Sequence, residues 1–214
     1  MLKLKFSKEM LKLYLVTDRK WLDDRKLEDD IEKAIIGGVT MVQLREKNLS
    51  NDEFIKIANK VKRVCQKHQI PFIINDNLEV ALSVDSDGIH IGQNDLPASL
   101  VRKLIGSDKI LGVSVHNLDE ARSAETDGAN YLGVGAMFAT NTKDDADNIS
   151  FNKLNDICKN VKIPVVAIGG INCDNICQFK NINIAGVAVV SAIMKANDIT
   201  AATKKLITEL EKND

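Results

Sequence analysis

The chain has 214 residues, with 29 basic and 30 acidic side chains and a formal net charge of −1 at pH 7. Its 44% hydrophobic content supplies a packed core and excludes a disordered chain. The balanced charge gives no general pull toward nucleic acid or anionic membrane, and no apolar run approaches the roughly 20 residues of a membrane span.

The N-terminus alternates Lys with apolar residues and lacks the continuous apolar stretch of a signal peptide. Short apolar or β-branched runs then alternate with segments of helical period. The first run spans 13–18 and is followed by a stripe of Leu27, Ile31, Ala34 and Ile35. After the second run, 39–45, Ser50 and Glu53 form a capping box. It opens a helix with Phe54, Ile57, Ala58, Val61, Val64 and Cys65 on one face. Further runs span 71–75, 88–91 and 110–115, and a helix starting at Asn117 turns Leu118, Ala121 and Ala124 inward. Runs at 130–135, 163–169 and 186–190 complete the set, and Ile199, Ala202, Leu206 and Leu210 mark the last helix. Runs without in/out alternation suit a parallel sheet covered on both faces.

Eight strand–helix alternations without a linker predict one domain over 1–214, with 1–12 as an N-terminal extension. The expected fold is α/β, a (β/α)8 TIM barrel close to the minimum of about 200 residues; an open doubly wound sheet is the alternative. An aromatic content of 4% agrees with a barrel filled by branched aliphatic side chains. Cys65, Cys158, Cys173 and Cys177 lack the spacing of a zinc or C-x2-C redox motif, so they read as reduced thiols in a cytoplasmic protein.

In such a barrel the chemistry lies at the C-terminal ends of the strands. Gly169-Gly170 and Val190-Ser191 follow the last two runs, where barrels commonly hold phosphate; the alternative is a tight turn. Asp76 and Asp95 end adjacent strands and can share a hard cation such as Mg²⁺ with phosphate oxygens. Their structural alternative is helix capping, near Asn77 for Asp76 and before Pro97 for Asp95. Arg45, Lys47 and Lys143 bring positive charge to the same rim. Arg45 has a salt bridge with Glu46 or a neighbouring rim carboxylate as its alternative, and Lys143 a pairing with the nearby Asp144, Asp145 and Asp147. His68 reads as surface and His90 as structural, while His116 lies near enough to the rim for proton transfer. One phosphate cradle, a carboxylate pair for Mg²⁺ and a cationic cluster imply two phosphorylated ligands, or one phosphate and one diphosphate.

The ordered runs QLREK (43–47), ND (75–76), HIGQND (90–95), GVSVH (112–116), TNTK (140–143), IGG (168–170) and VSAI (190–193) resemble the thiamine-phosphate synthase family. The resemblance covers the chain from about Leu13 to Leu210. It implies a transferase that joins a hydroxymethylpyrimidine diphosphate to a hydroxyethylthiazole phosphate, giving thiamine phosphate and pyrophosphate. Asp76 and Asp95 match the family's ligands for one Mg²⁺ per subunit. Gln43, Leu44, Arg45, Glu46, Lys47, Asn75, Ser114 and Lys143 match positions that hold the pyrimidine diphosphate. Thr140, Asn141, Thr142, Gly170, Val190 and Ser191 match positions that hold the thiazole phosphate. Arg45, Lys47, Ser114 and Lys143 form the implied catalytic set. Ala139 stands where the family usually has Pro, which leaves that backbone freer. The implied partners are two small phosphorylated substrates, with no nucleic acid or membrane; homo-oligomerisation is left open. A thiazole tautomerase of the same superfamily, a non-catalytic phosphate-binding regulator and another phosphate-binding barrel isomerase are the competing functions.

Overall fold

A computed structural model describes residues 5–139 and 149–212. Eight parallel strands close into a barrel in sequence order. They are β1 (Leu13–Val16), β2 (Met41–Leu44), β3 (Phe72–Asn75), β4 (Gly88–Ile91), β5 (Ile110–Val115), β6 (Tyr131–Val134), β7 (Val165–Ile168) and β8 (Gly186–Val189). Closure is visible in the register: Leu15 faces Val42 on one side and Val189 on the other. The open-sheet alternative is thereby removed.

Helices α1 (Leu27–Gly37), α2 (Asn51–His68), α3 (Leu78–Ser83), α4 (Ala98–Ile105), α5 (Leu118–Thr126) and α6 (Phe151–Asn160) cover the barrel, followed after β8 by α7 (Ser191–Met194) and α8 (Ile199–Glu211). The capping box of α2 is present: Ser50 accepts from the Glu53 N–H, and Glu53 accepts from the Ser50 N–H at 3.0 Å. Asn117 caps α5 by accepting from the Glu120 N–H at 2.9 Å. The β7–β8 connection differs from the expected helix, since only a 3-10 turn forms, over Ile176–Phe179. Its segment is rich in Asn, whose side chains compete for backbone groups. Asn175 accepts from the Asn172 N–H and donates to the Gly170 carbonyl.

Two apolar layers result. The outer one lies between barrel and helices and contains Leu13, Leu15, Val42, Leu44, Phe54, Val61 and Cys65. The inner one fills the barrel with Leu11, Tyr14, Val16, Met41, Ile73, Ile110, Tyr131, Val166 and Ala188. The expected aliphatic filling is therefore incomplete: both of the chain's tyrosines lie inside the barrel. The lower end is closed by a 3-10 helix over Lys8–Leu11. Among the described residues, no helix is long and apolar enough to cross a membrane.

Candidate active site

A cavity of about 420 Å³ opens at the C-terminal ends of the strands and reaches down to Tyr14 and Tyr131. Its walls bring together Gln43, Arg45, Lys47, Asn75, Asp76, Asp95, Ser114, Gly170, Val190 and Ser191. The size suits small ligands, for which pockets of roughly 300–1,000 Å³ are usual. Thr140, Asn141, Thr142 and Lys143 lie outside the described residues.

Side chains alternate along the QLREK segment, of which Gln43 and Leu44 end β2 and the rest lie in the loop that follows. Successive side chains of a strand point to opposite faces. Gln43, Arg45 and Lys47 face the cavity, whereas Leu44 is fully buried in the outer layer. Glu46 sits beside Arg19, 3.6 Å away, and is also absent from the cavity wall. The structure does not bring Leu44 or Glu46 to the other candidate residues. Glu46, one alternative partner for Arg45, pairs with Arg19 instead. Burial, partly offset by Arg19, raises the Glu46 carboxyl above its usual range.

Arg45 is only 9% exposed, and among the described residues its Nη2 has no hydrogen-bond partner. A buried guanidinium nitrogen left unpaired is costly. Placed on a cavity wall, it is a ready donor for an anionic ligand oxygen.

The two carboxylates are freed from the capping roles the sequence allowed. Asn77 caps α3 by accepting from the Val80 N–H at 3.0 Å. Pro97 occupies the N-cap of α4. Asp76 instead follows β3 with φ of 60°, a left-handed conformation that non-glycine residues seldom adopt. Its N–H donates to the His90 carbonyl, and its Oδ2 accepts from Asn75 Nδ2 at 2.6 Å. Asp95 closes a turn by accepting from the Gly92 N–H at 2.6 Å. Both carboxylates are exposed and line the cavity from adjacent strand ends.

On the β7 and β8 side, Gly169 and Gly170 have φ of 100° and 67°. A Cβ at Gly170 would stand 2.7 Å from the Ala139 carbonyl, so only glycine fits there. Ser191 begins α7 beside them.

The barrel floor holds a hydrogen-bonded chain. Gln43 Nε2 donates to the Tyr14 hydroxyl at 2.7 Å, and the Tyr14 and Tyr131 hydroxyls are 2.8 Å apart. Tyr131 lies 2.9 Å from His90 Nδ1, and His90 Nε2 lies 2.8 Å from Ser114 Oγ. Burial holds both phenols far above their usual range, so both keep their protons. The sequence reading missed Tyr14 and Tyr131 as cavity residues. A polar-tipped ring inside a parallel strand was the available signal. His116 stands at the rim, with Nδ1 bonded to Glu120 at 3.0 Å. His68 pairs with Glu32 away from the cavity.

The thiamine monophosphate synthase sequence profile matches residues 13–193. The chain belongs to this family. Family members are transferases. A thiamine-phosphate synthase from Clostridium botulinum is 54% identical over 200 residues, covering 94% of each chain. The Methanobrevibacter smithii thiamine-phosphate synthase is 47% identical, covering 94% of this chain and 96% of its own. The solved structure of thiamine phosphate pyrophosphorylase from Pyrococcus furiosus superposes with a TM-score of 0.89 at 37% identity, covering 96% and 98% of the two chains. For this family, the polar ring of strand ends is the candidate active site.

Proposed function

We propose that this enzyme condenses 4-amino-2-methyl-5-(diphosphooxymethyl)pyrimidine with 4-methyl-5-(2-phosphooxyethyl)thiazole, giving thiamine phosphate and pyrophosphate. The observation that carries the reading is Arg45: a buried cation with a donor that has no partner among the described residues, on the wall shared by Lys47, Asp76 and Asp95. Such a wall suits a diphosphate with its cation. Gly170, Val190 and Ser191, on the β7–β8 side, would take the second phosphate.

Asp76 and Asp95 offer only oxygen donors, the set that Mg²⁺ prefers alongside phosphate oxygens. Held by them, Mg²⁺ would neutralise charge on the departing diphosphate. The protein's own part is electrostatic and positional. The methylene C–O bond breaks, and its electron pair leaves with pyrophosphate. Arg45, Lys47 and Lys143 balance the growing charge on that group. The electron-rich aminopyrimidine carries the cation, and the thiazole nitrogen captures it with its lone pair. No protein nucleophile is needed. Fixing both rings in one cavity supplies much of the rate by proximity.

The test mixes both substrates with and without Mg²⁺ and follows pyrophosphate and thiamine phosphate. Equal release of the two, dependent on Mg²⁺, is expected. No pyrophosphate under any condition rejects the synthase function.

A further inference from the structure

We propose that Arg25 is a positioning residue for the thiazole phosphate: its guanidinium clamps the C-terminal end of α7 to the β1–α1 loop and so sets where Val190 and Ser191 stand in the cavity wall. The proposal rests on the synthase reading for the identity of the ligand. Its structural part rests on the bonds of Arg25 alone.

Arg25 lies in the loop before α1 and is not part of the cavity wall. A guanidinium has five N–H donors and no acceptor, so the direction of each bond is fixed. Nη2 donates to the Met194 carbonyl at 2.8 Å and to the Trp21 carbonyl. Nη1 donates to the Ala196 carbonyl at 3.2 Å, and Nε to the Leu22 carbonyl at 3.3 Å. Trp21 and Leu22 belong to the β1–α1 loop, whereas Met194 ends α7 and Ala196 lies in the turn after it. One planar side chain thus joins the two ends of the chain across the seam where the barrel closes. A second tie crosses the same seam, since Lys195 Nζ lies 5.6 Å from the centroid of the Trp21 ring.

Helix α7 carries that hold to the site. The last carbonyls of a helix lack partners within it, and Arg25 supplies one for Met194. Ser191, at the other end of α7, lines the cavity about one helical turn away. The Val190 carbonyl accepts from the Ile193 and Met194 N–H groups at 3.1 and 2.9 Å, so Val190 moves with the same turn. Ile193 and Met194 are fully buried, which makes the turn one rigid piece. The guanidinium is in turn held by charge. Asp30, in the first turn of α1, is fully buried, and its Oδ2 lies 3.4 Å from Arg25 Nη1. Lys33 Nζ stands 3.6 Å from the other oxygen, on a side chain that is 54% exposed. Neutralising Asp30 would need one cationic nitrogen and no fork. The fork is used on carbonyls of two loops.

The test compares three variants of the full chain by thermal unfolding, steady-state kinetics and calorimetric titration with the thiazole phosphate. Arg25→Met removes the clamp and leaves a buried carboxylate without its main partner, so Tm should fall as well. Adding Asp30→Asn to it removes the buried charge but does not restore the clamp. Tm should then recover toward the wild type, while KM for the thiazole phosphate stays raised about tenfold, the size of one ordinary hydrogen bond. KM for the pyrimidine diphosphate should stay within about twofold, a split that general loosening would not give. Arg25→Lys keeps the charge beside Asp30 and loses the planar fork. It should hold Tm near the wild type and still raise KM for the thiazole phosphate, and it decides the matter if the other two do not fold. A thiazole-phosphate KM that recovers together with Tm in the double variant overturns the proposal. So does a folded variant in which both KM values rise equally or neither moves. If the wild type makes no product, the synthase reading falls, and the loss of thiazole-phosphate affinity between wild type and Arg25→Lys decides the clamp by itself; absence of wild-type binding overturns both.

Discussion

At Asp76, two unusual features meet in one residue. Its φ of 60° costs backbone energy, and its carboxylate is oriented by Asn75 toward the cavity. Neither feature serves α3, whose cap is Asn77. Asp76→Asn keeps the shape and removes the charge. Turnover should fall on the order of 10²-fold or more at limiting Mg²⁺. A Mg²⁺ titration of initial rate checks this, and near-normal turnover at saturating substrate and limiting Mg²⁺ would reject the ligand role. Glu46 gives a stability prediction with a sign. Its folded pKa lies above the unfolded value because of burial. The stability it contributes is complete below the unfolded carboxylate range, about pH 4, and is lost as pH rises through the folded value. Glu46→Gln is neutral throughout, so its Tm should exceed the wild type at pH 7 and converge with it toward pH 4. A gap that widens on acidification would mean that the Arg19 pair outweighs burial. These residues also show what the sequence made legible. Asp76 and Asp95 stand at strand ends, where the barrel rule points. Of the QLREK run, Gln43, Arg45 and Lys47 line the cavity, whereas the Leu44 side chain lies in the outer apolar layer and Glu46 pairs with Arg19.

At the level of elements, the strands were readable from apolar runs, and two of them, 88–91 and 110–115, coincide with β4 and β5. The others read one to three residues longer than they are, with flanking residues such as Thr17, Asp18, Pro71 and Val190 lying outside the ladders. The helix periodicity and both caps were explicit in the sequence. The β7–β8 connection was not, since Asn172 and Asn175 spend their side chains on local turns. That connection carries a prediction. Gly170 has φ of 67°, and an added Cβ would press on the backbone carbonyl of Ala139 and on Phe138. Gly170→Ala should raise KM for the thiazole phosphate by on the order of tenfold, because strain at a left-handed position costs about 1–3 kcal/mol. KM for the pyrimidine diphosphate should change little. Initial rates with each substrate varied in turn test this, and an equal rise in both would remove the loop from the thiazole side.

The whole molecule is a closed sheet with one open end and one stopped end. The buried chain through Tyr14, Tyr131 and His90 was invisible in the sequence because it exists only when β1, β4 and β6 enclose a common interior. LYLV and ANYLGV read simply as apolar strands. The stopper has the same dependence on closure. Leu11 is fully buried within the inner layer, and Phe6 stacks on Tyr131 with ring centroids 6.2 Å apart. Thr40 Oγ1 ties the stopper to the barrel by donating to the Met10 carbonyl at 3.0 Å. Tyr131 thus joins the stopper below to the polar chain above. Leu11→Ala removes buried methyl groups at a site that cannot collapse, since rigid strands surround it. The cost should be about 2–5 kcal/mol. For a chain of this length that lowers Tm by on the order of 10 °C. Catalysis should be affected less than folding, because the carboxylates and Arg45 sit at the opposite end of the strands. Thermal unfolding, paired with kcat at 25 °C, separates the two ends: an unchanged Tm would deny the stopper its structural role, and a collapse of kcat in a folded variant would show that the floor of the barrel controls the site.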